Sequence, residues 1–228
     1  MFIFISVLFI TLIAYWALNL LFLHQSVDKN ARYWEERKAD SGELIYVAFG
    51  DSAAQGIGAS DPSRGYVGII ADRYAKSTGK TIRVINLSKS GAKAKDVINT
   101  QLTEYDRLNI KPDLVTIAIG GNDSKSYTGD EFKSEIAMIV SKLPADTYIS
   151  DVPDFGGPQN RRYSAVTQLF KDAINTRNDL NFVPLGEMTS RDQRFFGTYS
   201  YDFFHPNNTG YEIWADAFWK EIENAKDK

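Results

Sequence analysis

Leu44-Ile45-Tyr46-Val47-Ala48-Phe49 runs without a charged side chain into Gly50-Asp51-Ser52. Six aliphatic and aromatic residues stopped by a glycine read as a strand buried on both faces, the condition met in parallel sheets. Further along the chain, residues 81–87, 114–119 and 147–152 repeat the pattern, and 181–185 is a weaker example. Amphipathic stretches lie between them. Phe132, Ile136, Ile139, Val140 and Leu143 fall on one helical face, with Thr128 and Glu131 spaced as a capping box before them. Tyr211, Trp214, Ala215, Phe218, Trp219 and Ile222 form a second stripe, for which Thr209 and Glu212 have the same spacing. Strand and helix thus alternate about five times. The pattern predicts an α/β domain, a three-layer α/β/α sandwich around a parallel, flavodoxin-like sheet of about five strands. In such sheets ligands bind beyond the carboxyl ends of the strands.

Composition narrows the chemistry. The 228 residues are 43% apolar and 24% charged, ordinary for a globular protein, and a net charge of −3 offers no electrostatic footprint for nucleic acid. Lys89, Lys93 and Lys95 are read as a solvated helix start. Without cysteine there is no disulfide, thiolate nucleophile or sulfur-bound zinc, and the two histidines, His24 and His205, make no metal-binding pair. No metal or cofactor is expected.

The predicted strand ends carry the polar residues. The first leads into Gly50-Asp51-Ser52, the second into Asn86-Leu87-Ser88-Lys89-Ser90-Gly91, and the third into Gly120-Gly121-Asn122-Asp123. Asp202-Phe203-Phe204-His205-Pro206 stands near the carboxyl terminus. These four blocks, in this order, resemble the SGNH (GDSL-type) hydrolase family over roughly residues 43–222. The resemblance implies a serine hydrolase that cleaves an acyl ester through an acyl-serine intermediate. It further implies an oxyanion hole made by the backbone N–H groups of Ser52 and Gly91 and the side-chain amide of Asn122.

Elementary chemistry agrees with a Ser52, His205 and Asp202 set. A serine hydroxyl needs a base to accept its proton at neutral pH. His24 lies beside the apolar amino-terminal run, which leaves His205, and Asp202 can hold the imidazole tautomer. Asp51 and Asp123 are expected to shape turns through side chain to backbone bonds. Gly56-Ile57-Gly58 lacks the third glycine and the lysine of phosphate-binding loops and is read as a flexible turn beside the nucleophile. The aromatic group Phe195, Phe196, Tyr199, Tyr201, Phe203 and Phe204 has two open readings, an acyl pocket or the packing of a long loop. Acyl transfer by the same residues, and a non-catalytic membrane-tethered binding module, are the competing functions.

Residues 2–27 contain no charged side chain. The 22 residues from 2 to 23 would make a helix of about 33 Å, close to the bilayer's apolar thickness of about 30 Å. No basic residue precedes the run, and no small-x-small pair follows it, which disfavours a cleaved signal peptide. The expected organisation is a transmembrane anchor over 1–24, a juxtamembrane spacer over 25–42 and a hydrolase domain over 43–228. Lys29, Arg32, Arg37 and Lys38 behind the span favour a cytoplasmic domain, whereas the family resemblance implies an extracytoplasmic one. The expected partners are the membrane and an acylated small molecule, lipid or envelope glycan as substrate.

Overall fold

The computed structural model describes residues 2–123, 129–154, 160–191 and 195–226. The apolar runs form β1 (Leu44–Gly50), β2 (Ile82–Asn86), β3 (Leu114–Ala118), β4 (Tyr148–Ser150) and β5 (Asn181–Val183). All pair in parallel, in the order β2-β1-β3-β4-β5. The ends of β1, β2 and β3 therefore lie side by side, as the flavodoxin-like order predicts.

The side-chain alternation of β1 divides the core in two. Val47 and Phe49 face a layer containing α5 (Asp130–Lys142) and α6 (Asn160–Ile174). Tyr46 and Ala48 face the opposite layer, built from α2 (Tyr66–Thr78), α9 (Asn208–Lys226) and the end of α1 (Phe2–Arg37). Shorter pieces among the described residues include α3 (Ala94–Asp96), a π-helical segment Val97–Gln101, α4 (Leu102–Leu108), α7 (Leu185–Arg191) and α8 (Phe195–Thr198).

Both predicted helical stripes pack into the core, Trp219 in part, and the cap of the second differs from expectation. Phe132, Ile136, Ile139 and Val140 lie on α5 and Leu143 just beyond it. Thr128, half of the expected capping box, lies outside the described residues. The Thr209 cap is a correction. The last helix begins at Asn208, and Asn207 Oδ1 accepts the Gly210 N–H at 3.1 Å, so an asparagine two residues earlier takes the capping position.

Residues expected to form the anchor and part of the spacer are one continuous helix, α1. Its outer turns expose Phe9, Ile10, Leu12, Leu18, Leu21 and Phe22. Among the described residues it is the one helix long and apolar enough to cross a membrane. Its final turns belong to the core. Trp34 is buried against α2 and α9, and Trp34 Nε1 and Asn30 Nδ2 both donate to the Gln55 carbonyl, at 3.1 and 3.0 Å. Arg83 on β2 donates two bonds to the Lys38 carbonyl, satisfying an acceptor that the helix end leaves open. Helix and domain are thus joined by packing, not only by chain.

Candidate active site

The turn after β1 is fixed from three directions. Gly50 has φ 145, and a side chain there would meet the Ala118 carbonyl at 2.5 Å, so only glycine lets β1 and β3 approach at this point. Buried Gln101, closing the π-helical segment, accepts the Gly50 N–H at 2.9 Å and donates to the Gly50 carbonyl at 2.7 Å. Asp51 accepts the Ala53 N–H at 2.9 Å, the turn-shaping bond expected of it. Gln55 secures the next turn by donating to Ser88 and accepting from the Ser90 N–H.

Ser52, held in this turn, is buried. Its Oγ lies 2.8 Å from His205 Nε2, and His205 Nδ1 lies 2.5 Å from Asp202 Oδ2. The three residues, separated by up to 153 positions in the chain, make one unbroken hydrogen-bonded row. Asp202 Oδ1 also accepts the backbone N–H groups of Phe204 and His205, at 3.1 and 3.0 Å, closing a tight loop that fixes the imidazole. Burial opposes ionisation of Asp202, yet the His205 bond and charge together with these N–H donors outweigh it, and the carboxyl stays below its ordinary value. A charged carboxylate at Nδ1 leaves Nε2 as the acceptor facing the hydroxyl.

Asn207 clamps the segment carrying His205. Its amide donates to the carbonyls of Gly197 and Tyr199, at 3.0 and 3.1 Å, while its oxygen caps α9. Gly58 presses on the same segment from the other side. With φ 96, its missing side chain would fall 2.4 Å from the Pro206 carbonyl oxygen and 2.9 Å from His205 Cβ.

Asn122 and Gly91 stand on the neighbouring strand ends. Asn122 Nδ2 donates to the Ala92 carbonyl at 3.0 Å and more weakly to Asp51 Oδ2 at 3.4 Å. The longer bond is the one a stronger acceptor would replace. Gly91, exposed and with φ 79, directly precedes Ala92 and has open space where a side chain would sit. Burial pushes the carboxyls of Asp51 and Asp123 up to about 6. Asp123 accepts the Ala94 N–H at 3.2 Å, tying the third strand end to α3 instead of closing its own turn.

A pocket of about 30 Å³ opens beside Ser52, walled by Ile119, Pro153, Leu185, Phe204 and Trp214. Of the aromatic group before His205, Phe204 reaches this pocket, and Tyr199 donates to the Asp154 carbonyl at 3.2 Å. The side chains of Phe195 and Phe196 lie outside the described residues. Gln55, Gln101 and Asp151 escaped the sequence reading, and Trp214 was read as part of the last helical stripe without its place at the pocket. Asp151 is buried beside the pocket, accepting from Gly186 N–H and Thr167 Oγ1. Its only sequence signal was its place at the end of the fourth apolar run.

Comparison with known proteins places the chain in a family. Residues 48–213 match the GDSL-like Lipase/Acylhydrolase family. The uncharacterized Bacillus subtilis protein YpmR is 22% identical, over 79% of this chain and 82% of its own length. The GDSL-like esterase Rv1075c of Mycobacterium tuberculosis is 28% identical, over 80% of this chain; the match spans 63% of that protein. Among solved structures, a catalytic mutant of the acetylxylan esterase Axe2 of Geobacillus stearothermophilus superposes with a TM-score of 0.63 at 21% identity, covering 80% of this chain and 95% of that one. TesA does so with a TM-score of 0.63 at 22% identity, covering 79% and 98%. Both share its fold. With nearly three quarters of its length inside the family's span, the chain belongs to the GDSL-like lipase/acylhydrolase family and is a carboxylic ester hydrolase.

Proposed function

We propose that the chain hydrolyses a short-chain acyl ester by covalent catalysis at Ser52, from a domain held at a membrane by α1. The row from Ser52 Oγ through His205 to Asp202, with bonds of 2.8 and 2.5 Å, carries this reading. His205 Nε2 takes the hydroxyl proton as Ser52 Oγ attacks the ester carbonyl carbon. The carbonyl oxygen becomes an anion, which the N–H groups of Ser52 and Gly91 and the amide of Asn122 stabilise. Collapse of this intermediate breaks the bond to the alcohol oxygen, which leaves with the proton held by His205. A water molecule then gives its proton to His205 and attacks acyl-Ser52, releasing the acid and restoring the hydroxyl. Asp202 stays ionised throughout and stabilises the transient imidazolium.

The pocket sets the acyl size. A space of about 30 Å³ holds roughly two waters, enough for an acetyl-sized group. The membrane reading rests on the uncovered apolar surface of α1 and on its length. Residues 1–24 serve as the anchor, 25–42 as the helical link packed on the domain, and 43–228 as the hydrolase, on the extracytoplasmic side. Hydrolysis of p-nitrophenyl acetate by the full chain, compared with Ser52→Ala and His205→Ala, tests the catalytic part. Equal turnover in either variant contradicts it. Retention of the chain in the membrane pellet after alkaline carbonate, with a reporter fused after Lys228 for sidedness, tests the anchor.

A further inference from the structure

The loop that delivers His205 is tied to the apolar part of α1. Tyr15 Oη and Tyr201 Oη share a hydrogen bond of 2.9 Å, and their rings meet edge to face at 5.9 Å. Trp16 Nε1 donates to the Tyr201 carbonyl at 3.0 Å. The apolar run of α1 continues to Leu23, and the first charged residue is Asp28. At about 1.5 Å per residue, Tyr15 and Trp16 stand roughly 10–12 Å inside the end of that run. Whatever meets them is therefore at or below the depth of the lipid headgroups.

The loop's own surface suits that depth. Tyr201, Phe203 and Phe204 are 41%, 51% and 37% exposed. Aromatic residues with one polar handle are those that settle at membrane boundaries. Polar groups here are also satisfied inside the protein, as lipid requires: Asn19 Nδ2 donates to the Tyr15 carbonyl at 2.8 Å, and Trp16 bonds Tyr201. Phe203 adds an independent signal, for it combines an exposed ring with φ 54. A bulky residue is disfavoured in this left-handed region, where asparagine or glycine would be easier. Phe204 joins this surface to the pocket, since it is both exposed and part of the wall beside Ser52.

We propose that Tyr201–Phe204 is an interfacial lip seating the mouth of the Ser52 pocket in the lipid surface, so that the enzyme takes its ester from the membrane. The substrate class is an amphiphile whose short acyl ester lies at headgroup depth, with its alcohol portion anchored in lipid. This extends the proposed function and rests on its anchor. A groove of about 1010 Å³ between α1 and the loop, apolar at Phe22 and Leu23 and polar at Lys29 and Arg32, has the matching polarity gradient for such a molecule.

The absence of cysteine makes the test direct. Phe203→Cys and, at the opposite end of the strands, Lys80→Cys are each labelled with bimane in the full chain, reconstituted in phosphatidylcholine vesicles. The lip predicts quenching at 203 by lipids spin-labelled high on the acyl chain, and quenching at 80 only by aqueous iodide. Equal iodide quenching at both positions, in protein that resists carbonate extraction, overturns the lip alone. Release by carbonate overturns the lip and the anchor together. Phe203→Asn supplies the functional arm. Losing the ring shifts the seated lip toward water by about tenfold, so hydrolysis of hexadecyl acetate in vesicles falls by about that factor. Hydrolysis of soluble p-nitrophenyl acetate stays at the parent rate. Equal loss on both substrates overturns the proposal.

Discussion

Gly58→Ala is a substitution close to Ser52 but far from His205 in sequence, and its effect is set by three close contacts. The new methyl would lie 2.4 Å from the Pro206 carbonyl oxygen, 2.9 Å from His205 Cβ and 3.2 Å from Ser200 Cβ. Ordinary contacts of this kind begin near 3.4 Å, so the segment bearing His205 must withdraw by about 1 Å. Directed away from Ser52, that shift would stretch the Ser52–His205 bond from 2.8 Å to as much as about 3.8 Å, which is no longer a hydrogen bond. A displacement of that size at reacting groups costs roughly 10²-fold in turnover. The backbone adds strain of about 1–3 kcal/mol, since φ 96 is poorly accessible to alanine, and lowers Tm by about 2–4 °C per kcal/mol. Gly79→Ala separates the two effects. Gly79 has φ 70 but nothing within 4 Å of the added carbon, so that variant loses stability alone. The assay is p-nitrophenyl acetate hydrolysis beside thermal melts of all three proteins. Wild-type turnover in folded Gly58→Ala would refute the idea that this glycine sets the His205 position.

Asn122→Ala, which would remove one donor of the proposed oxyanion hole, is expected to lower kcat by roughly 10²–10³ without a comparable change in KM; steady-state kinetics on the same ester reads this. Asp51→Asn tests a pH effect. Burial raises this carboxyl to about 6 against 3.8 ordinarily, so between those values the folded protein keeps a proton that the unfolded chain has lost. The associated stability is present below about pH 4 and lost as pH rises through about 6. The variant, which cannot ionise, should match the parent in melts near pH 4 and exceed it near pH 7.5 by on the order of 2–3 kcal/mol. Equal pH dependence of the two proteins would contradict this.

The sheet was legible because its strands are buried on both faces and therefore leave apolar runs that turns interrupt. Their order placed Ser52, Gly91 and Asn122 on adjacent strand ends, and scarcity of histidine left few candidates for a base. What stayed illegible depends on contacts between distant residues. Gln55 and Gln101 bind backbone groups, and such bonds impose no spacing on sequence. The cap of α9 was misjudged because Thr209 and Glu212 have capping-box spacing, while Asn207 can both cap the helix and hold the carbonyls of Gly197 and Tyr199. Residues after the apolar run looked like a spacer because they are charged. Trp34 and Asn30, on one side of that helix, are nevertheless buried against the domain.

The proposed catalysis depends most on a covalent step at one hydroxyl. Incubating the full chain with a fluorophosphonate and sequencing its peptides by mass spectrometry locates the modified residue. The predicted result is a single phosphonylated site at Ser52, lost in Ser52→Ala and strongly slowed in His205→Ala. Labelling at another residue, or undiminished labelling in Ser52→Ala, would contradict it.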